Sequence, residues 1–155
     1  MSPEYFANQL SEDIEHAQKL LTLINEEQQA LVARDLPKLE TLLDHKQPIL
    51  ILLAQHASER SRFLQDNGFS ADRDGLISFC KAQNLGNGIV ESADVLANVI
   101  EQCRDTNEQH GRAIRSYQAA TGKVLGLLRG TDAPSLYDQK GASSKSSQAR
   151  PLSQA

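Results

Sequence analysis

Few residues in this chain are suited to chemistry, and their spacing limits what they could do. Asp72-Arg73-Asp74-Gly75, followed by Ile77, has the look of part of a calcium loop. In that register Ser70 takes the first ligand position and Lys81 the last, where a hard cation needs a bidentate glutamate. A capped helix start, with its acids facing the helix dipole, is the better reading. His16, His45, His56 and His110 are scattered along the chain. None pairs with another at the i, i+4 spacing that presents two imidazoles to a metal, so each reads as a surface or boundary histidine. Cys80 and Cys103 form no Cys-x-x-Cys unit and read as reduced, isolated thiols. Gly86-Asn87-Gly88 is a weak echo of an anion site, with no strand before it. There is no Gly-x-Ser-x-Gly elbow and no phosphate loop. The pattern points away from catalysis, from a bound metal and from a cofactor.

A second set of residues suggests recognition instead. Gly122, Gly126 and Gly130 recur every four residues, which places them on one helix stripe where a partner backbone could approach closely. Each helical glycine costs about 1 kcal/mol against alanine, so these turns are marginal alone. Val124, Leu125, Leu127 and Leu128 surround the stripe. A helix that is apolar on several faces yet weakly stable suits a partner, although packing on the chain's own helices would also cover it. Ile114, Tyr117, Val124, Leu125 and Leu128, with Gly122 and Gly126, are therefore the candidate binding surface. Asn107 falls on the expected seam four residues before Gly111, and either fixes helix register as a buried polar group or faces water at a bend. Leu136-Tyr137 lies beyond the last helix, where no core claims it, and fits a short docking motif.

These residues need helices to position them. The net charge of −4 argues against a broad nucleic-acid footprint. No apolar run approaches the ~18 residues of a membrane span, and residues 1–8 carry no basic cluster or signal-type core, so a cytoplasmic protein is expected. Tryptophan is absent and aromatics make up 5 % of the chain, which predicts an aliphatic core. Heptad spacing runs through Leu10, Ile14, Ala17, Leu21, Ile24, Gln28 and Leu31, predicting a first helix from Pro3 to Ala33. Asp35 caps the next, whose seam reads Leu36, Leu39, Leu43, Lys46, Leu50, Leu53, Ala57, Arg60 and Leu64. Pro48 should kink it near Asp44, and Asn67-Gly68 should end it. The short link at Arg34-Asp35 makes the two an antiparallel hairpin. Ser70 caps a short helix through Gln83, and a third long helix runs from Ile89 to Arg129, with its seam at Ala93, Leu96, Ile100, Cys103, Asn107, Ile114, Tyr117, Thr121, Val124 and Leu128. The expected fold is all-α: an elongated hairpin or coiled coil, a short connecting helix and a third long helix. Residues 1–130 form the helical domain and residues 131–155 a polar, Ser-rich tail expected to be disordered.

The order of these features resembles the FlgN family of flagellar export chaperones over nearly the whole chain. The resemblance lies in Leu20-Leu21 with Glu26-Glu27 and Leu31, then Leu39, Leu42-Leu43, Lys46 and Leu50-Ile51-Leu52-Leu53. Asn107-Glu108-Gln109-His110-Gly111 is similar to the family's Asn-x-x-Asn-Gly element, with His110 where the family prefers asparagine. Leu136-Tyr137-Asp138-x-x-Gly141 is similar to its Leu-Tyr-x-x-x-Gly tail. The resemblance implies a non-enzymatic cytoplasmic chaperone of type III flagellar export. It would bind the C-terminal helical segments of the hook–filament junction proteins FlgK and FlgL through its own C-terminal amphipathic region. Tyr137 would dock the cytoplasmic domain of the export gate protein FlhA. The residues alone leave a second possibility, a homotypic coiled-coil scaffold whose seams pair with themselves.

Overall fold

A computed structural model describes residues 1–128, apart from the side chains of Tyr117 and Thr121. Among the described residues it is all-α, with four helices: α1 Pro3–Ala33, α2 Leu36–Asp66, α3 Arg73–Ala82 and α4 Gly88–Leu128. The chain divides into two compact units, residues 1–108 and residues 109–155, so α4 contributes to both.

Local chemistry sets the helix ends of the first unit. Ser2 accepts a hydrogen bond from the Tyr5 amide at 3.2 Å, and Pro3 starts α1, where its missing N–H costs nothing. Arg34 takes a left-handed conformation (φ 56°) that closes α1. Asp35 accepts from the Lys38 amide at 3.1 Å and opens α2. Pro48 removes one backbone bond, yet α2 runs on as one helix to Asp66. Gly68 then turns the chain at φ 85°. The cap of α3 is Asp72 rather than Ser70. Asp72 Oδ1 accepts from the Gly75 amide at 2.7 Å, while Ser70 Oγ supports that carboxylate by donating to it at 2.6 Å.

Helices α1 and α2 form the antiparallel hairpin. Their cross-pairs run in opposite chain directions: Glu27 with Lys46, then Asp13 with His56 and Arg60, then Gln9 with Glu59 and Arg60. The seam of α2 differs from the expected one. Leu39, Lys46, Leu53 and Arg60 keep their places, but the residues between them are Leu42, Ile49 and His56; Leu43, Leu50 and Ala57 are exposed. Each disputed step offers two neighbours. At Leu42-Leu43 and Ile49-Leu50 both are apolar, so hydropathy could not choose. At His56-Ala57 it favoured the wrong one. In α1 the buried face likewise runs through Phe6, Gln9, Leu10, Asp13, Ala17, Leu20, Leu23 and Ile24, with Leu21 and Leu31 only half-buried.

Two apolar clusters fill the unit. One gathers Phe6, Leu10, Ala17, Leu64, Leu76, Phe79, Cys80 and Leu96. It is not purely aliphatic. All four phenylalanines of the chain meet there: Phe79 stands edge-on to Phe63 (centroids 5.4 Å apart) and to Phe69 (5.7 Å), and Phe6 lies 5.8 Å from Phe63. Scarcity said nothing about placement, because edge-to-face rings pack best when gathered. The other cluster holds Leu20, Leu23, Ile24, Ala30, Leu42, Ile49 and Cys103. The early part of α4 enters both clusters, with Leu96 in the first and Cys103 in the second. Cys103 Sγ lies 3.5 Å from the Ala17 carbonyl. Both cysteines are buried and free, and burial pushes both thiols up.

Flanked by apolar residues along both hairpin helices is a polar layer. Asp13, fully buried, accepts from His56 Nδ1 and Arg60 Nη1, each at 2.6 Å. Arg60 also donates to Gln9 Oε1 at 2.9 Å, and Gln9 Nε2 donates to Glu59 at 2.9 Å. His56 is therefore a core histidine held by a carboxylate, not the surface or boundary residue expected from its surroundings in sequence.

Candidate docking helix

The second unit, residues 109–155, is described up to Leu128, where its chain is the C-terminal half of α4. On a helix advancing about 100° per residue, Ile114, Val124, Leu125 and Leu128 fall on one arc, Leu127 extends it, and Tyr117 shares the register. Val124 is 54 % exposed, Leu125 46 %, Leu127 80 % and Leu128 78 %; Ile114 is half-buried. Four large aliphatic side chains open to water within five residues form an apolar surface that no other described residue covers. Single exposed leucines are ordinary on proteins, whereas a contiguous set marks a binding surface.

The glycines lie elsewhere on the same helix. The four-residue spacing puts Gly122 and Gly126 together, but on the side roughly opposite Val124 and Leu128. A Cβ at Gly122 would meet nothing within 4 Å, and one at Gly111 would meet only Arg115 Nη1 at 3.4 Å. Neither is forced by close packing against described atoms. Their effect is to weaken the helix, at about 1 kcal/mol each. Asn107 is exposed, so within the first unit it faces water and fixes no register there. The buried polar residues of that unit are Gln9, Asp13 and His56. Leu136 and Tyr137, and the expected boundary between residues 130 and 131, lie outside the described residues.

The polar side of this helix is basic. From Gln109 to Leu128 the chain carries Arg112, Arg115 and Lys123 and no acidic residue. All three are exposed and fall on the polar arc opposite the apolar one. The signal lies in the sequence as an acid-free run, which the whole-chain charge of −4 conceals.

The Asp72 carboxylate is occupied by Ser70 and the Gly75 amide, which together hold it below the usual carboxylate range. Among the described residues no group of three or more His, Cys, Asp or Glu side chains could hold a metal. Nor, among them, is any helix long and apolar enough to cross a membrane.

The FlgN protein family model matches residues 1–145. A comparison with curated proteins gives no match. Among solved structures, the chain is similar to a Pseudomonas aeruginosa protein assigned to flagella synthesis as FlgN, at 37 % identity and a TM-score of 0.66, over 83 % of this chain and 98 % of that one. A hairpin with a capped short helix, a long fourth helix ending in an open apolar face, and a family match over nearly the whole length lead to one conclusion: this chain belongs to the FlgN family.

Proposed function

We propose that this FlgN-family chain is a flagellar export chaperone. Its clients are the C-terminal helical segments of the junction proteins FlgK and FlgL, and it delivers them to the export gate from the cytoplasm without catalysing a reaction. The observation that carries this reading is the open aliphatic face at Val124, Leu125, Leu127 and Leu128 on a helix weakened by glycine. An assembly segment exposes an apolar helix face that would polymerise or aggregate if left free, and helix-to-helix packing covers it. Burying about 600 Å² of apolar area contributes roughly 15 kcal/mol gross at ~25 cal/mol per Å². Ordering the glycine-rich turns and the client offsets much of that, which leaves a complex that can release its client.

In this reading Ile114, Tyr117, Val124, Leu125 and Leu128 form the client surface. Gly122 and Gly126 keep the helix adaptable and leave its opposite side open to a second close approach. Asn107 and Gly111 mark where α4 passes into this segment. Leu136 and Tyr137 dock the cytoplasmic domain of FlhA. Separate sites predict separable defects: Tyr137→Ala spares client affinity and weakens capture by that domain in a pull-down, whereas an equal loss of client binding would place the tail in the client site. The homotypic scaffold differs in what it needs. It requires a concentration-dependent oligomer without any client, which sedimentation velocity of the full chain alone detects.

A further inference from the structure

The end of α4 has two arcs of different character. One is apolar, with Val124, Leu125, Leu127 and Leu128 exposed. The other is basic. No acid occurs from Gln109 to Leu128, and Arg115 and Lys123 are exposed on the side opposite Val124 and Leu128. A partner helix laid on the leucines uses the first arc and leaves the cations in water. A nucleic acid held by the cations leaves the leucines in water. The surface of an anionic bilayer accommodates both, because its acyl boundary takes the apolar arc while charged headgroups surround the basic one.

We propose that residues 109–128 form an interfacial helix that lies in the surface of an anionic lipid bilayer. The helix is not apolar enough to cross the membrane, which leaves it on the surface. A helix is about 10 Å across, and the screening length at physiological ionic strength is about 8 Å. Cations on the upper side of a helix sunk among the headgroups therefore still feel the lipid phosphates, and the long stems of Arg115 and Lys123 shorten the distance. Arg112 is left out of the count, since Glu108 stands one turn before it. The overall charge of −4 opposes the approach only weakly, because charges more than a screening length from the lipid are largely masked. Lipid binding is a second activity beyond the chaperone reading and does not depend on it. If that reading also holds, client and lipid compete for one arc, and it is the unloaded protein that rests on the membrane.

Co-sedimentation of the full chain with vesicles tests the inference. It compares pure phosphatidylcholine with an equal mixture of phosphatidylcholine and phosphatidylglycerol, without client. The wild type should bind the mixed vesicles and not the neutral ones. Each Arg or Lys near an anionic surface contributes about fivefold in affinity, so Arg115→Gln/Lys123→Gln should weaken binding by about 30-fold. Near 1 M salt, where the screening length is about 3 Å, the wild type should weaken likewise. Leu127→Gln/Leu128→Gln should weaken binding at low salt as well. Glutamine forms helix about as well as leucine, arginine and lysine, so circular dichroism should show both variants folded. A wild type that ignores the mixed vesicles overturns the inference, as does equal binding to both kinds or undiminished binding by either folded variant. The chaperone reading stands in each of those cases, because client titration in solution decides it. A junction-protein segment that binds the chain in solution should release it from the vesicles. Retention of both would give client and lipid different faces and overturn the placement of lipid on this arc.

Discussion

Replacing Asp13 by alanine isolates what the buried polar layer contributes to the hairpin. Asp13 is fully buried and is the shared acceptor of His56 and Arg60, each at 2.6 Å. Removing it leaves Arg60, whose side chain is 11 % exposed, hydrogen-bonded to the Gln9 side-chain carbonyl at 2.9 Å and with the Glu59 carboxylate as its remaining counter-charge. Removing one partner of a buried ion pair costs about 3–5 kcal/mol, because the other charge stays desolvated. Against a total stability of about 5–15 kcal/mol that is a large fraction. At about 2–4 °C per kcal/mol for a chain of this size, the melting temperature should fall by roughly 6–20 °C. Urea unfolding followed at the helical band should show a lower midpoint with the slope unchanged. The triple variant Asp13→Leu/His56→Leu/Arg60→Leu removes all three groups together and should recover most of the loss, since apolar replacement of a whole buried network is often neutral or stabilising. If Asp13→Ala costs less than about 1 kcal/mol, the layer is wetter or looser than the distances imply, and the reasoning fails.

The α2–α3 turn yields two further expectations. A Cβ at Gly75 would lie 1.8 Å from the Ser70 carbonyl oxygen, so Gly75→Ala must displace the turn and lower amide protection in α3, measurable by hydrogen exchange. The Asp72 carboxylate is held below its ordinary value first by the Ser70 hydroxyl and then by the Gly75 amide. A depressed folded value means its stabilising effect is present above the unfolded value of 3.8 and is lost as pH falls through the lower folded one, so amide protection at the start of α3 should drop with acid, and Asp72→Asn should flatten that dependence.

Helix positions were legible in the sequence because punctuation residues set them. Ser2-Pro3, Asp35 with Pro37, and Gly68 each act through their own backbone or side chain, and the structure places helix ends beside them. The cap of α3 was misplaced because Ser70 and Asp72 are both competent capping residues, and only the turn geometry shows which one reaches the Gly75 amide. Facing of the helices was harder. A heptad places a stripe only to within one residue when neighbours are both apolar, as Leu42-Leu43 and Ile49-Leu50 are. His56 and Asp13 could not be read as core from hydropathy, since the partners that satisfy them lie on the other hairpin helix, His56 43 positions and Arg60 47 positions from Asp13. The apolar set at the end of α4 is visible in the sequence. Its basic arc shows only when charge is taken unit by unit, and the division at Glu108 and Gln109 falls inside α4, where no helix end announces it.

The central claim is that the apolar arc of α4 holds a junction-protein helix. Calorimetric titration of the full chain with the C-terminal segment of FlgK or FlgL, wild type beside Val124→Asp, tests it most directly. Val124 is 54 % exposed, so a carboxylate there should leave the hairpin's circular dichroism unchanged while blocking the face. The account predicts saturable binding by the wild type and none by the variant. Undiminished binding by a folded Val124→Asp protein would contradict it, as would a wild-type chain that binds neither segment.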